Sequence, residues 1–126
     1  MQKILLTGSS GFIGSNIVQI LSKKYRIYLI VRKKSLERFN KNKNIKFIKF
    51  HNYESLNSKL KKIKVDIVIH CATHYVKNHK FTDIKKFCYS NLLLGNIILE
   101  NLKNLKASKF INFSTVWEDA NAIKDN

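Results

Sequence analysis

Three glycines recur every three residues in the apolar stretch LLTGSSGFIGSNIV, residues 5–18. Glycine weakens both helices and strands, so these glycines need a physical reason. Gly8 would let the chain turn sharply out of a strand, Gly11 would let a pyrophosphate approach the backbone, and Gly14 would let a helix pack closely on the sheet. The N–H groups and the dipole at the start of that helix would then face the phosphates. The predicted dinucleotide-binding residues of this segment are Gly8, Ser10, Gly11, Phe12, Ile13 and Gly14.

Such a loop needs a strand before it and a helix after it, and the apolar pattern predicts both. The predicted strands are residues 3–7, 26–31, 45–50, 66–71 and 109–114, and the predicted helices are 13–24, 55–62 and 83–105. Nearly continuous apolar strands that alternate with helices are typical of a parallel sheet covered on both faces. Right-handed crossovers give the strand order 3-2-1-4-5, a Rossmann-type doubly wound α/β fold in a single domain, residues 1–126. The glycines then lie at the tip of strand 1, where the winding reverses and ligands bind.

Several parts of the chain resemble the short-chain dehydrogenase/reductase superfamily, in its extended branch of nucleotide-sugar epimerases, dehydratases and reductases. They are the glycine spacing after Thr7, DIVIHCAT (66–73), SNLLLGNIILENL (90–102) and KFINFSTVWE (109–118). IHCATHYVKN and FINFSTVW are most similar to the group of CDP-abequose and paratose synthases. The resemblance implies the N-terminal, cofactor-binding part of an NAD(P)-dependent enzyme that acts on a nucleotide-linked sugar.

The residue after strand 2 indicates which cofactor is preferred. An NAD-preferring enzyme usually has an acidic residue there for the ribose 2′-hydroxyl, whereas this chain has Arg32 and Lys33 and no acidic residue before Glu37. Arginine can pair with a 2′-phosphate and stack on adenine. We therefore predict NADP as the cofactor, with NAD as the alternative. An ordinary solvated Arg-Lys-Lys loop is the competing interpretation.

The resemblance implies further cofactor-binding residues. Asn52 stands near the position of a family Asp that contacts the adenine amino group. The backbone of Cys71, Ala72 and Thr73 corresponds to the segment that lines the cofactor ribose. Asn91 matches an Asn that steadies the chain near strand 4 and the active site.

One catalytic residue is implied, Thr115, which matches the Ser/Thr that hydrogen-bonds the reacting sugar group. The family's acid/base is the Tyr of a Tyr-x-x-x-Lys motif, and none of the five tyrosines here has Lys four residues later. We therefore expect the chain to stop before that helix and before the sugar-binding lobe. Whether the chain is itself an enzyme stays open. The alternatives are a non-catalytic dinucleotide-binding or interaction module and, less favoured, a basic nucleic-acid-binding protein.

A metal site is not expected, although His70, Cys71, His74 and His79 are close in sequence. Zinc needs ligands that converge, and neighbouring residues on a strand point to opposite faces. Their spacing also matches no common zinc pattern.

The formal charge of +16 has two possible explanations: an anionic partner, or a lysine-rich composition without a functional role. Arginine is scarce and the lysines are scattered, so we expect no specific nucleic-acid partner. No apolar run reaches the roughly 18 to 20 residues that span a bilayer, and no signal peptide stands out, so no membrane partner is expected. The two cysteines, Cys71 and Cys88, form no disulfide framework, which favours the cytoplasm. An open edge at strand 5 predicts self-association.

Overall fold

The structure is a computed structural model that describes residues 1–32, 39 and 41–114. Its five strands are β1 (Lys3–Thr7), β2 (Arg26–Arg32), β3 (Ile45–Phe50), β4 (Ile67–His70) and β5 (Lys109–Asn112). Its α-helices are α1 (Phe12–Leu21), α2 (Tyr53–Leu60), α3 (Ile84–Phe87), α4 (Leu94–Glu100) and α5 (Leu102–Leu105). A 3₁₀ turn, Phe81–Asp83, precedes α3, and a π-helical segment, Cys88–Leu93, joins α3 to α4.

The strands form one parallel sheet in the order β3-β2-β1-β4-β5, which confirms the predicted order. The winding reverses between β1 and β4, where Thr7 is paired with His70 at the carboxyl ends of the two strands. The predicted ligand-binding edge of the sheet therefore begins at these two residues.

Two apolar layers cover the sheet, because consecutive residues of β1 point to opposite faces. Leu5 packs in a layer with α2, α4 and α5, whose buried residues include Leu56, Ile98 and Leu105. The other layer includes Val18 of α1. Its buried residues are Ile4, Leu6, Val18, Ile27, Leu29, Val31, Ile45 and Ile69. Burial on both faces explains why the three central strands, β1, β2 and β4, are almost continuously apolar, whereas the edge strands β3 and β5 carry exposed lysines.

The prediction of one continuous helix over residues 83–105 was wrong. Its middle is the π-helical segment, and it breaks again at Asn101, which has φ −91° and ψ 0°. The buried Asn101 amide donates to the carbonyl of Ile97 (2.8 Å) and to Oδ1 of Asn57 in α2 (2.7 Å). A side chain that hydrogen-bonds the backbone and a neighbouring helix competes with regular helix geometry. The last turn ends at Lys106, whose φ of 58° is left-handed.

Helix α1 also ends earlier than predicted, at Leu21 rather than residue 24. The carbonyl of Leu21 accepts hydrogen bonds from the N–H groups of Lys24 (3.0 Å) and Tyr25 (2.9 Å), so the chain turns there into β2. Within the described ranges, no helix is both long enough and apolar enough to cross a membrane.

Candidate functional site

A cleft of about 540 Å³ lies at the carboxyl ends of β1, β2 and β4. The fold brings ten of the predicted site residues together along its walls: Gly8, Ser10, Gly11, Phe12, Ile13, Gly14, Arg32, Cys71, Ala72 and Thr73. The walls also include Thr7, Ser9, Ile30, Val31, Phe50, His74, Ser90 and Leu94. The cleft thus forms where the winding of the sheet reverses.

Gly8 makes the turn out of β1 in a conformation that side chains rarely adopt, with φ +77°. A Cβ atom built there would lie 2.6 Å from the carbonyl carbon of Cys71. Both the backbone angle and the approach to the end of β4 therefore require glycine at this position.

Gly14 lies in the first turn of α1, where a Cβ atom would lie 2.2 Å from the carbonyl oxygen of Gly8 and 3.1 Å from the nitrogen of Ser9. The close approach that Gly14 permits is therefore between α1 and the loop itself. It keeps the start of the helix tight against the turn that leaves β1.

Gly11 differs from the other two glycines. Its φ is −79°, which any residue adopts, and an added Cβ would meet only the carbonyl oxygen of Gly8, at an ordinary 3.4 Å. Packing among the described residues thus gives no reason for glycine at this position. A ligand that lies against the backbone at Gly11 would explain why the position is glycine.

The start of α1 contributes backbone donors to the cleft. Gly11 is the N-cap, no side chain caps the helix, and its first turn carries no acidic residue. The first N–H groups of a helix have no intrahelical acceptor, and here they belong to Phe12, Ile13 and Gly14 at the cleft wall. The side chains of Phe12 and Ile13 are 85% and 49% exposed. An anion at this end of the cleft would meet backbone donors and the positive end of the helix dipole.

Beneath the loop, Thr7 joins β1 to β4. Its buried hydroxyl accepts a hydrogen bond from the N–H of Ala72 (3.1 Å) and forms another with Nδ1 of His70 (2.8 Å). Burial lowers the pKa of His70, which favours the neutral ring, and burial raises the pKa of the Cys71 thiol. These contacts fix the backbone of Cys71 and Ala72 at the cleft wall.

Asn91 holds the chain that follows β4. Its Oδ1 accepts hydrogen bonds from the N–H of His74 (2.6 Å) and the hydroxyl of Thr73 (3.3 Å), and its Nδ2 donates to the carbonyl of His74 (3.0 Å). Asn91 does not itself line the cleft. The hydrogen bonds correspond to the steadying role that the sequence resemblance implies.

Arg32 is the last residue of β2, and its Nη2 donates a hydrogen bond to Oγ of Ser90 (3.0 Å). Both residues line the cleft, and Ser90 is buried within the π-helical segment. A guanidinium therefore lies at the β2 end of the cleft, where the sequence predicts a contact to the adenosine ribose.

Asn52, like Asn91, is a predicted site residue that does not line the cleft. Its Oδ1 accepts a hydrogen bond from the N–H of Ser55 (2.8 Å), so it is the N-cap of α2. The cap also explains why α2 begins at Tyr53, two residues earlier than predicted. Lys33 and Thr115, the remaining predicted residues, lie outside the described residues.

The histidines and cysteines do not converge in the structure. His74 and His79 pack against the ring of Phe87, at centroid distances of 5.1 and 5.7 Å. His70 stacks against Phe110 at 6.2 Å. In the described part of the chain, no group of three or more His, Cys, Asp or Glu side chains could hold a metal ion.

Sequence reasoning missed Ser90 and gave no site role to His70. Both are polar residues in apolar surroundings, His70 at the end of a buried strand and Ser90 next to Asn91 in an apolar helix. A polar residue within an apolar segment indicates a buried group that needs a hydrogen-bond partner, and this is the sequence signal for both residues.

The parallel sheet, the glycine loop and the cleft at the switch point define a nucleotide-binding α/β fold, and sequence comparison gives its family. The chain belongs to the NAD dependent epimerase/dehydratase family, which it matches over residues 4–123. This match confirms the predicted family.

Among its relatives, a dTDP-D-glucose 4,6-dehydratase of Dictyostelium discoideum is 36% identical over 126 residues, 91% of this chain and 29% of the relative. A CDP-abequose synthase of Yersinia pseudotuberculosis is 36% identical over 117 residues, 92% of this chain and 40% of the relative. The chain thus spans less than half the length of these relatives.

A solved structure shows the same fold. It is a variant of the UDP-glucuronic acid 4-epimerase of Bacillus cereus, in complex with UDP-4-deoxy-4-fluoro-glucuronic acid and NAD. It matches this chain with a TM-score of 0.74 at 30% sequence identity, over 90% of this chain and 40% of that one.

Proposed function

We propose that this chain is the cofactor-binding part of an NAD(P)-dependent epimerase, dehydratase or reductase that acts on a nucleotide-linked sugar. The observation that carries the proposal is Gly11. Neither its backbone angle nor its neighbours among the described residues require glycine, yet it stands between two glycines that the loop does require. A pyrophosphate against the backbone supplies the missing reason.

The other residues of the cleft fit the same ligand. The N–H groups at the start of α1 would bind the pyrophosphate, and the Cys71–Thr73 backbone would line the cofactor ribose. Asn91 would hold that backbone through Thr73 and His74. The bound cofactor would supply hydride transfer, while these residues of the chain bind and orient it.

We propose NADP as the preferred cofactor, with NAD as the alternative. The support is Arg32 at the end of β2, which lines the same cleft as the glycine loop, the proposed phosphate site. NAD stays the alternative because the family is described as NAD dependent and the solved epimerase of Bacillus cereus contains NAD. A charge-assisted contact to a 2′-phosphate is worth roughly 1.5–3 kcal/mol, or about tenfold to 100-fold in affinity.

The proposed substrate is a nucleotide-linked sugar, because the relatives are named for dTDP-, CDP- and UDP-linked sugars. Thr115 is the residue proposed to hydrogen-bond the reacting sugar group. The second candidate is a non-catalytic dinucleotide-binding or interaction module. It is favoured by the absence of a Tyr-x-x-x-Lys motif from these 126 residues.

Calorimetric titration of the purified chain with NADP and NAD tests the proposal. We expect both cofactors to bind, NADP at least tenfold more tightly, and Arg32→Asp to remove the difference. Lys24→Asp is the matched control, since it makes the same change of charge before the opposite end of β2. Absence of binding would contradict the proposed function, and equal affinities of the unmodified chain would contradict the NADP preference alone.

A further inference from the structure

Three consecutive residues of the π-helical segment contact three different parts of the ligand-binding edge. The carbonyl of Tyr89 accepts a hydrogen bond from the Tyr53 hydroxyl (3.1 Å), Ser90 accepts one from Arg32, and Asn91 bonds to His74. A π-helical turn inserts a residue into a helix, and such turns occur frequently at functional sites. The segment thus contacts the end of β2, the first residue of α2 and the chain that follows β4.

Within this segment, the Ser90–Arg32 pair joins a buried hydroxyl to an exposed cation. Ser90 is 8% exposed, and Nη2 of Arg32 lies 3.0 Å from its Oγ. Arginine has a long, flexible side chain whose planar guanidinium must be correctly oriented to pair with a phosphate. A hydrogen bond to a buried, fixed hydroxyl restricts that orientation before a ligand arrives.

We infer that Ser90 positions the Arg32 guanidinium for the 2′-phosphate of an adenosine ribose and thereby sets the preference for NADP over NAD. Ser90 is a positioning residue, because it acts through Arg32. The inference rests on the proposed function, since it requires that the cleft bind a dinucleotide. Orienting Arg32 in advance reduces the ordering cost of binding, which strengthens binding without any new contact to the ligand.

The selectivity between the two cofactors separates this role from a structural one. NAD has a hydroxyl where NADP has the 2′-phosphate, so only NADP makes the charge-assisted contact that depends on the orientation of the guanidinium, whereas stacking on adenine is common to both cofactors. A general loosening of the π-helical segment would instead weaken the binding of both cofactors, because they share the cleft. The ratio of the two affinities is therefore the informative quantity.

The experiment is a calorimetric titration of NADP and NAD into the unmodified chain, Ser90→Ala, Ser90→Thr and Tyr53→Phe. We expect Ser90→Ala to lower NADP affinity about three- to tenfold and to leave NAD affinity unchanged, as for loss of one hydrogen bond. Ser90→Thr retains the hydroxyl and should keep the ratio. Tyr53→Phe is the matched control: it removes another hydrogen bond to the same segment and should leave the ratio unchanged.

A double-mutant cycle with Arg32→Ala tests whether Ser90 acts through Arg32. In the Arg32→Ala background, Ser90→Ala should have no further effect on NADP affinity. Three results would overturn the inference while leaving the proposed function intact. Ser90→Ala could weaken NADP and NAD binding equally, it could leave the ratio of the two affinities unchanged, or it could lower NADP affinity just as much in the Arg32→Ala background. A chain that binds neither cofactor would overturn both.

Discussion

The hydroxyl of Thr7 lies 2.8 Å from Nδ1 of His70, so one buried hydrogen bond joins the carboxyl ends of β1 and β4 at the winding reversal. The same hydroxyl accepts the N–H of Ala72. Burial keeps His70 preferentially neutral by lowering its pKa below the ordinary value near 6.5. The switch point therefore rests on a histidine whose charging is unfavourable in the fold.

This environment predicts a loss of stability in mild acid. The unfolded state takes up a proton near pH 6.5, whereas folded His70 takes it up only at lower pH, so the unfolded state binds more protons in between. Stability should therefore fall as the pH drops below about 6.5 and continue to fall until the pH passes the folded pKa. Urea denaturation at pH 7.5 and pH 5.5 measures the change.

The comparison with His70→Asn isolates this contribution from those of other groups. We expect the variant to lose less stability between the two pH values than the unmodified chain does. His79→Gln, which replaces an exposed histidine, is the control and should keep the full loss. If His70→Asn and the unmodified chain show the same pH dependence, His70 does not carry the effect.

Gly8 and Gly14 should be needed for stability, since each sits where a Cβ atom meets backbone at less than 3 Å. We expect Gly8→Ala and Gly14→Ala each to lower the free energy of unfolding by about 1–3 kcal/mol, from overpacking and, at Gly8, backbone strain. Gly11→Ala should cost no more than about 1 kcal/mol, because alanine is merely the poorer N-cap. Chemical denaturation of the three variants tests the order, and an equal or larger loss at Gly11 would contradict it.

The 126-residue chain alone should not turn over a nucleotide sugar, even with cofactor bound. None of its tyrosines begins a Tyr-x-x-x-Lys motif, and loss of general acid–base help costs about 10²- to 10⁴-fold in rate. The measurement follows nicotinamide absorbance with CDP- and dTDP-linked 4-keto sugars. Turnover that disappears in Thr115→Ala would contradict the expectation and would make this chain an enzyme by itself.

Self-association is expected along β5, which is an edge strand of the described sheet. Ile111 of β5 and Phe113, which directly follows the strand, are each 44% exposed. An edge with exposed apolar side chains offers unpaired backbone groups to a second chain, and a charge weakens such pairing. Sedimentation velocity should show less association for Ile111→Lys than for the control Ile20→Lys, which charges an exposed residue of α1. Equal association of the two variants would place the contact elsewhere.

Much of the fold could be predicted because its signals are local. The bounds of β1 and β3 agree with the predicted residues: β1 is an apolar run that is buried after Lys3, and β3 is a largely apolar segment that follows a polar loop. The strand order followed from the handedness of crossovers. The helix break at Asn101 could not be predicted, because the Asn101 side chain there hydrogen-bonds to Asn57, which is 44 residues away in sequence.

The same distinction applies to the site. Glycine spacing predicted the loop, because a tight turn and close backbone approaches leave a local mark in the sequence. The pairing of Arg32 with Ser90 spans 58 residues and depends on where the π-helical segment places Ser90, which no local pattern encodes. Asn52 was assigned to the cofactor, although its side chain caps α2, because both roles use the same amide at a strand-to-helix junction.

Calorimetric titration of Gly11→Val with NADP, beside the unmodified chain, tests the dinucleotide-binding role of the glycine loop most directly. The valine side chain would occupy the proposed place of the pyrophosphate, while the neighbours of Gly11 leave room for its Cβ. We predict that the variant retains the circular dichroism spectrum and cooperative unfolding of the unmodified chain. Its affinity for NADP should be at least 100-fold lower. A folded Gly11→Val chain that binds NADP as tightly as the unmodified chain would contradict a phosphate site at this loop.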